Sequence, residues 1–384
     1  MRFVVLGAGL QGSACAFDLL RQPDVGEVIL ADLRVDELSP ALEAHRGRRL
    51  VPRVVDFRDV NAVADALHGG DVALCAAPYY FNYDLAKAAV SAGLHFADLG
   101  GNTEIVFRQL GLDSEARERG VTVVPDVGLA PGVVNVLAAE GIRRLDATDD
   151  VRIFVGGLPQ DPEPPLNYQV VYSLEGVLDY YTTRSWVLRE GRRVQVDALS
   201  EVEELEFPGL GTLEAFHTGG GISTLPWTYE GKVRRMEYKT LRYPGHATIV
   251  KAVRDLGLLD TAPVQVEGVE VRPRDLFLAV VGPRLTKPEV RDFVALRVAV
   301  SGRVGDRVAC HVWECLDRYD EESDLSAMER TTGFTLSIIG LLLGRGQMGA
   351  AGVRTPDQAV PADRFIAELA RCGIRITHRE ETLV

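Results

Sequence analysis

The sequence predicts an α/β protein: a doubly wound parallel sheet over residues 1–125, then an α+β domain with a mixed or antiparallel sheet. Three observations predict it. Short apolar strands alternate with amphipathic helices as far as residue 124. A glycine-rich turn, GAGLQG (7–12), joins the first strand to the first helix. Beyond Pro125 the alternation gives way to Gly/Pro loops and a hairpin pattern. At 384 residues the chain exceeds one ordinary core, so two domains are expected.

The first domain reads in order. Residues 3–6 form an apolar run ending at Gly7, as a buried parallel strand does, and 13–21 carry apolar residues at helical spacing. A second strand, 28–31, ends at Asp32, and a third, 53–55, at Asp56. Residues 61–67 are helical, and 72–77 form a fourth strand closed by Pro78. The helix 85–92 is capped by Gly93, strand 95–97 ends in DLGG (98–101), 103–119 reads mostly as helix and 121–124 as a sixth strand.

In GAGLQG, Gly7 permits the tight turn, Gly9 admits a pyrophosphate to the backbone, and Gly12 lets the helix pack on the sheet. The helix start, with Leu10 and Gln11, presents free amides and a positive dipole end to phosphate. Such a turn is a weak signal alone. Here it lies between a strand and a helix, and Asp32 ends the next strand about 20 residues on, which completes a Rossmann dinucleotide-binding pattern. A carboxylate at Asp32 accepts both ribose hydroxyls of NAD and repels a 2′-phosphate, so NAD is expected, with NADP the alternative because Arg34 offsets the repulsion. Asp56 either contacts the adenine amino group or caps the following loop. The backbone near Ala77 and Pro78 is expected beside the nicotinamide, with Tyr79 and Tyr80 following.

The second domain is expected over 126–325. A helix at 133–143 links the halves, 151–155, 194–196 and 293–300 read as strands, and SGRVGD (301–306) turns the last of these into 307–316. Residues 247–256 and 326–343 read as helices, and 326–384 is expected to be a helical segment returning toward the first domain. The active site is expected in the cleft between the halves.

Composition limits the partners. Acidic side chains outnumber basic ones 55 to 42, a formal charge of −13, which argues against nucleic acid or an anionic membrane. The 5 cysteines are odd in number and dispersed, unlike a secreted disulfide framework. No signal peptide is read at the start, and the apolar stretch 334–343 is too short to cross a bilayer, so a cytoplasmic protein is expected. Cys310, His311 and Cys315 suggest a metal, but residues five apart on a strand point to opposite faces, and no metal is expected.

Several longer motifs carry a resemblance: APYYFN (77–82), DLGGN (98–102), DVGLAPGVVNVLA (126–138), GGLPQDPEPPLNYQVVYS (156–173), EYKTLRYPGH (237–246) and MERTTGF (328–334). With GAGLQG they make the chain resemble the saccharopine dehydrogenase family, and within it the lysine 6-dehydrogenases. The resemblance implies a Rossmann domain, an α+β domain that also mediates dimerisation, and chemistry at a carbon–nitrogen bond. Saccharopine reductases carry an aspartate in the GLDPG turn and a cysteine before GGLP; here Ala130 and Val155 stand instead. That departure points away from saccharopine and toward NAD-dependent oxidative deamination of the lysine ε-amine to the 6-semialdehyde, by a homodimer or higher homo-oligomer.

Amine oxidation needs a group that takes a proton from the ammonium. Asp126, at the end of the sixth strand, either faces the substrate amine or bonds the backbone amides after it as a turn aspartate. Arg242 offers a bidentate fork for a substrate carboxylate, and Lys239 and His246 share its segment. His246 either serves as acid or base near neutral pH or caps the helix it begins. Tyr168 and Tyr172, four apart, either line the pocket or pack. Two other readings remain: NAD(P)H-dependent condensation of an amine with an aldehyde, of the saccharopine or carboxynorspermidine type, and a non-catalytic NAD sensor.

Overall fold

A computed structural model describes residues 1–171, 173–287 and 291–383. The chain divides into two compact units. The first comprises Met1–Arg144, Ile222–Thr228 and Glu329–Ile376; the second comprises Leu145–Gly221, Tyr229–Met328 and the residues from Thr377 onward.

The chain begins β1 (Arg2–Leu6), α1 (Leu10–Arg21), β2 (Glu27–Asp32), α2 (Pro40–Glu43), β3 (Leu50–Val54), α3 (Val60–Leu67) and β4 (Val72–Cys75). It continues α4 (Asn82–Ala92), β5 (His95–Asp98), α5 (Thr103–Leu110), α6 (Asp113–Arg119), β6 (Thr122–Val124) and α7 (Val133–Arg143). There follow β7 (Ala147–Pro159), α8 (Leu174–Thr182), β8 (Ser185–Arg189), β9 (Arg192–Val196), β10 (Glu203–Phe207), β11 (Gly211–His217), α9 (Leu225–Thr228), β12 (Val233–Arg242) and α10 (His246–Asp255). The rest is β13 (Val264–Val266), β14 (Val269–Val271), α11 (Pro273–Leu285), β15 (Asp292–Val304), β16 (Arg307–Arg318), α12 (Ala327–Gly344), β17 (Gly352–Val353), α13 (Pro356–Ala359), α14 (Ala362–Arg371) and β18 (Thr377–Leu383).

Among the described residues the first unit holds a 7-stranded sheet in the order β17-β6-β5-β4-β1-β2-β3, with every pairing parallel. Phe3, Val4, Val5 and Leu6 of β1 have no exposed surface, because a central parallel strand is covered on both faces. The strand order reverses between β1 and β4, the place where open α/β sheets take their ligands. Helix α12 completes the unit: a β-carbon on Gly333 would lie 2.7 Å from the Ala14 side chain and one on Gly340 2.6 Å from Leu74, so side chains there would push the helix off. The mostly helical stretch expected over 103–119 consists of α5 and α6, parted where the chain turns at Gly111, whose amide bonds back to Arg108.

The second unit is a 9-stranded mixed sheet, β10-β11-β12-β7-β15-β16-β18, with β8 and β9 joined at β12. Among the described residues only β12 and β7 run parallel; the other pairs are antiparallel. The expected hairpin is β15–β16, paired from Phe293↔Arg318 to Val304↔Arg307. The segment around Lys239 and Arg242 forms β12, and the turn follows at 243–245. One expectation is corrected here. The C-terminus is not wholly helical: 377–383 pair with β16, although THREETL has no apolar stripe to announce a strand. Strands β10 and β11, the β13–β14 hairpin and α11 carried no reading, and α11 buries none of its residues. No helix among the described residues is long and apolar enough to cross a membrane.

Candidate active site

The glycine-rich turn of the first unit is shaped by what its glycines lack. A β-carbon on Gly7 would fall 2.7 Å from the Ala76 carbonyl, and one on Gly12 1.8 Å from the Gly7 carbonyl oxygen, so both positions are closed to side chains. Gly9 is the opposite: nothing lies within 4 Å of a β-carbon there. It is also the N-cap of α1, with no side-chain cap and no acidic residue in the first turn, which leaves the helix amides open to an anion. Leu10 is 53% exposed and Gln11 follows it at this opening. These residues fit a dinucleotide pyrophosphate.

Asp32 ends β2, and its Oδ2 accepts the Ala8 amide at 2.8 Å, which braces the turn. Oδ1 takes the Arg34 amide at 3.3 Å. Asp56 behaves as the loop-capping alternative: it accepts the Arg58 amide at 3.0 Å and pairs with the Arg58 guanidinium, whose hydrogen bond holds the carboxyl well below its ordinary range. Ala77 sits against Gly7, and Pro78 opens a short helical turn over Tyr79–Phe81.

Asp126 stands beyond β6 in the same unit, and its position is unusual on three counts. It is 1% exposed, its φ is 62, in the left-handed region that few side chains adopt, and both carboxylate oxygens lack a hydrogen-bond partner. A turn aspartate would bond the amides after it; this one does not. Burial pushes its carboxyl up to about 8, with Asp98 and Asp357 raising it further, against a lowering by the Ser223 hydroxyl and the Gly101 amide. Although Ser223 is near enough to lower the value, its hydroxyl completes no hydrogen bond. A buried, strained and unsatisfied carboxyl is costly to folding, and such features concentrate at functional positions.

Asp98, at the end of β5, holds this region together. It is fully buried and accepts Asn82 Nδ2 at 2.9 Å, Gln109 Nε2 at 2.6 Å and the Gly100 amide at 2.7 Å. Burial raises its carboxyl to about 6 despite those bonds. Chain from the second half contributes too: Ile222–Thr228 belongs to the first unit, with Asn135 Nδ2 donating to the Ile222 carbonyl at 3.3 Å and Trp227 edge-on to Phe107.

The second unit has its own buried polar cluster. On β12, Tyr238, Thr240 and Arg242 alternate onto one face, while Glu237, Lys239 and Leu241 take the other. Arg242, 4% exposed, donates Nε to the Tyr181 hydroxyl at 3.2 Å and lies over the Tyr168 ring, 4.7 Å from its centroid. Tyr181 also bonds His246 Nε2 at 2.9 Å. Tyr168 is 6% exposed, and its hydroxyl is buried without a partner. Arginine, tyrosine and threonine on one buried face make a donor-rich surface suited to a carboxylate.

Two expected members of this cluster behave otherwise. His246 is fixed on both sides, by Tyr181 and by the Leu166 carbonyl at 3.0 Å from Nδ1. Burial first, then the Arg242 charge, lowers its pKa to about 3, so it stays neutral and is no acid or base near pH 7. Lys239 points away from Arg242 and donates to the Glu201 carbonyl at 2.6 Å and Glu203 at 2.7 Å. Strand periodicity separates residues that looked adjacent in sequence. Tyr172 lies outside the described residues. On the Lys239 face, Glu201, His217 and Glu237 bring metal-ligand atoms within 4.8 Å of one another. However, Arg152, Arg189 and Arg235 all pair with Glu237, so its charge is already met.

Comparison with known proteins fits this geometry. The saccharopine dehydrogenase NADP binding domain matches residues 3–124, and the saccharopine dehydrogenase C-terminal domain matches residues 128–374. The chain belongs to the saccharopine dehydrogenase family. That family consists of NAD(P)-dependent oxidoreductases acting at CH–NH bonds. Carboxynorspermidine synthase of Vibrio alginolyticus is 22% identical over 97% of this chain and 96% of its own length. Saccharopine dehydrogenase [NADP(+), L-glutamate-forming] of Saccharomyces cerevisiae is 24% identical over 67% of this chain and 58% of its own. Among solved structures, apo saccharopine dehydrogenase (L-Glu forming) of Saccharomyces cerevisiae superposes with a TM-score of 0.81 at 19% identity over 100% of both chains. Homospermidine synthase of Legionella pneumophila in complex with NAD gives 0.70 at 9% identity, over 100% of this chain and 91% of that one.

Residues that sequence reading passed over now stand out in this saccharopine dehydrogenase family member. Asp98, in DLGGN, ends β5 as Asp126 follows β6, and a strand-end aspartate is a signal visible in the sequence. Tyr181 sits inside α8 with nothing local to mark it. Ser223 and Asp357 are far from Asp126 in sequence, and only folding brings their influence to it.

Proposed function

We propose that this chain oxidises the ε-amine of L-lysine, or of a close amino-acid analogue, with NAD, giving the 6-semialdehyde and ammonia. The observation that carries the reading is Asp126: a buried carboxyl with both oxygens unpartnered and a pKa of about 8 is matched to exchanging a proton with an amine near neutral pH. A dinucleotide held at the Gly7–Gly12 turn and Asp32 would supply the hydride acceptor. Asp126 takes a proton from the ammonium, which frees the nitrogen lone pair. As hydride leaves the adjacent carbon, the substrate becomes an iminium. Asp126 passes its proton to solvent, takes one from the water that adds to that carbon and returns it to the nitrogen, and the C–N bond breaks as the new hydroxyl gives up its proton to the departing ammonia, which leaves as ammonium. Within the second unit, Arg242 and Tyr168 form a buried face with the chemistry to hold a carboxylate.

Asp32 supports NAD over NADP, since a carboxylate at the end of β2 repels a 2′-phosphate. A homodimer is proposed in the same way, supported by the exposed apolar side chains Val264, Val269, Leu276 and Val280, with light scattering as its test. The experiment for function follows NADH formation with L-lysine, ornithine, saccharopine and diamines. Lysine turnover that collapses in Asp126→Asn is the expected result; undiminished turnover in that variant removes the assignment.

A second reading, reductive condensation of an amine with an aldehyde, is favoured by one finding. The relatives named carboxynorspermidine synthase align over 97% of this chain. NADPH or NADH oxidation in the presence of an amine and an amino-acid semialdehyde together, and with neither alone, would establish it.

A further inference from the structure

Asp98 grips the chain on both sides of the Asp126 carboxyl. Its Oδ1 accepts the Gly100 amide at 2.7 Å and the Asp126 amide at 3.4 Å, and its backbone carbonyl accepts the Val127 amide at 2.8 Å. The end of β5 is thereby tied to the residues that follow β6. Gly100, which Asp98 pins, packs in turn against the Asp126 carboxyl. Asp126 needs such a hold, because its φ of 62 is a backbone state that a side-chain-bearing residue keeps only under constraint.

Among the described residues every donor to Asp98 is neutral. Asn82 Nδ2 and Gln109 Nε2 join the two amides, and the Cys75 thiol stands behind them, donating to Asn82 Oδ1 at 3.3 Å. Burial keeps that thiol protonated. No arginine or lysine acts on Asp98. Once ionised, it carries a charge that no cation offsets, in an interior where like charges repel strongly. Burial raises the Asp98 carboxyl to about 6, short of the value near 8 reached by Asp126, so Asp98 is charged while Asp126 still holds its proton. Asp357 of α13 is the other titratable group acting on Asp126, with the smaller effect.

We propose that Asp98 is the positioning residue of Asp126: one of its oxygens pins the amides of Gly100 and Asp126, and the negative charge it carries, met only by neutral donors, tunes Asp126 as a base. This rests on the reading that Asp126 serves the amine, and it adds the group that gives that carboxyl its place and its basicity. Asp98 acts through its neighbour rather than on the substrate.

Two variants separate place from charge. Asp98→Asn keeps an oxygen for the two amides and deletes the charge; its new N–H group can face Gln109, whose Oε1 is buried without a partner. Asp98→Ala deletes both. The whole protein, labelled with carbon-13 at its aspartate carboxyls, is titrated by NMR, with the Asp126 signal assigned by its absence from Asp126→Asn. In wild type that signal is expected to titrate near pH 8 with a smaller inflection near pH 6, where Asp98 ionises. In Asp98→Asn the midpoint is expected about one pH unit lower, with the inflection gone and the acid limb of kcat/KM moved alongside. In Asp98→Ala kcat is expected to fall about 10- to 100-fold, the scale of a misplaced catalytic group, and in Asp98→Asn to recover most of that loss. Unchanged NADH affinity reports an intact first unit. An Asp126 midpoint equal in wild type and Asp98→Asn, or an equal kcat in all three proteins, overturns the proposal. Should either variant lose NADH binding, the wild-type curve decides: an inflection near pH 6 upholds the proposal and a single step overturns it. The titration needs no substrate, so the two readings fail separately. If Asp126→Asn abolishes lysine oxidation while the Asp126 midpoint ignores Asp98, only the positioning role falls. If Asp126→Asn turns over normally, the functional reading falls as well.

Discussion

Gly100 is packed so closely on Asp126 that a β-carbon built on the glycine would fall 1.9 Å from Asp126 Oδ1. The carboxylate therefore occupies the space where any other residue at 100 would place its side chain. Gly100→Ala is expected to displace Asp126 and lower kcat by more than tenfold. Its φ of +73 adds strain to the substitution. NADH affinity should change less than twofold, because the cradle at Gly9 is untouched; fluorescence titration beside steady-state kinetics checks both.

Asp126→Asn removes the proton acceptor. Loss of a positioned acid or base lowers the rate by roughly 10²- to 10⁴-fold, and the acid limb of the kcat/KM profile near pH 8 should vanish. Stability should respond in the opposite sense. Because the folded carboxyl is raised to about 8 by burial, with Asp98 and Asp357 adding to it, the wild type is favoured below pH 4 and loses stability as pH climbs to 8. Urea denaturation at pH 5 and pH 9 should show a flatter dependence in the asparagine variant.

His246 makes the contrasting case. It is already neutral across the working range, so His246→Gln should leave the pH–rate profile between pH 6 and pH 9 unmoved. Its lost bonds to Tyr181 and Leu166 should cost about 1–3 kcal/mol of stability, read from the denaturation midpoint. A shift in the profile would restore it as a titrating group.

Glu237 is 1% exposed at its side chain and meets Arg152, Arg189 and Arg235. Glu237→Gln removes the counter-charge shared by three guanidinium groups, which keep Glu203, Glu201 and Asp150 as remaining partners. Each arginine keeps about a third of its surface in water, so the cost should fall below the fully buried range, at about 1–3 kcal/mol. Thermal denaturation should show the gap between the two proteins narrowing as salt is raised.

Filling the open position of the cradle tests the dinucleotide claim by itself. Gly9→Val places branched carbon where nothing now lies within 4 Å and should abolish NADH binding without unfolding the chain. Asp32→Ala should narrow the preference between NAD and NADP, measured as the ratio of their dissociation constants.

The first sheet was legible because its signals are local. Each strand is a short apolar run, each ends at a glycine or aspartate, and Gly7, Gly9 and Gly12 have fixed offsets from Asp32. Asp126 was legible for the same reason, as a strand-end acid. The second unit was harder. The arginine and lysine of KTLR look like neighbours, but the two-residue period of β12 sends Arg242 and Lys239 to opposite faces. The neutral state of His246 depends on Arg242 and on burial by distant chain, and Asp357 matters only because a segment more than two hundred residues away shares its unit with Asp126. β18 lacks an apolar stripe because this edge strand is held by backbone pairing with β16 and by polar and ring contacts, His378 stacking on Trp313 and Arg379 pairing with Glu314, rather than by an apolar face.

The path of the polypeptide carries a practical lesson for dissection. After Arg144 the chain departs from the first unit, revisits it for Ile222–Thr228, and rejoins it at Glu329. A fragment stopping at 144 would bare the surfaces of Ala14 and Leu74 on which α12 is fitted, and would lack Ser223 and Asp357. No single scissile point can therefore liberate an autonomous dinucleotide module. Chimeras exchanged between relatives must transplant all three stretches together, or they will yield an insoluble half.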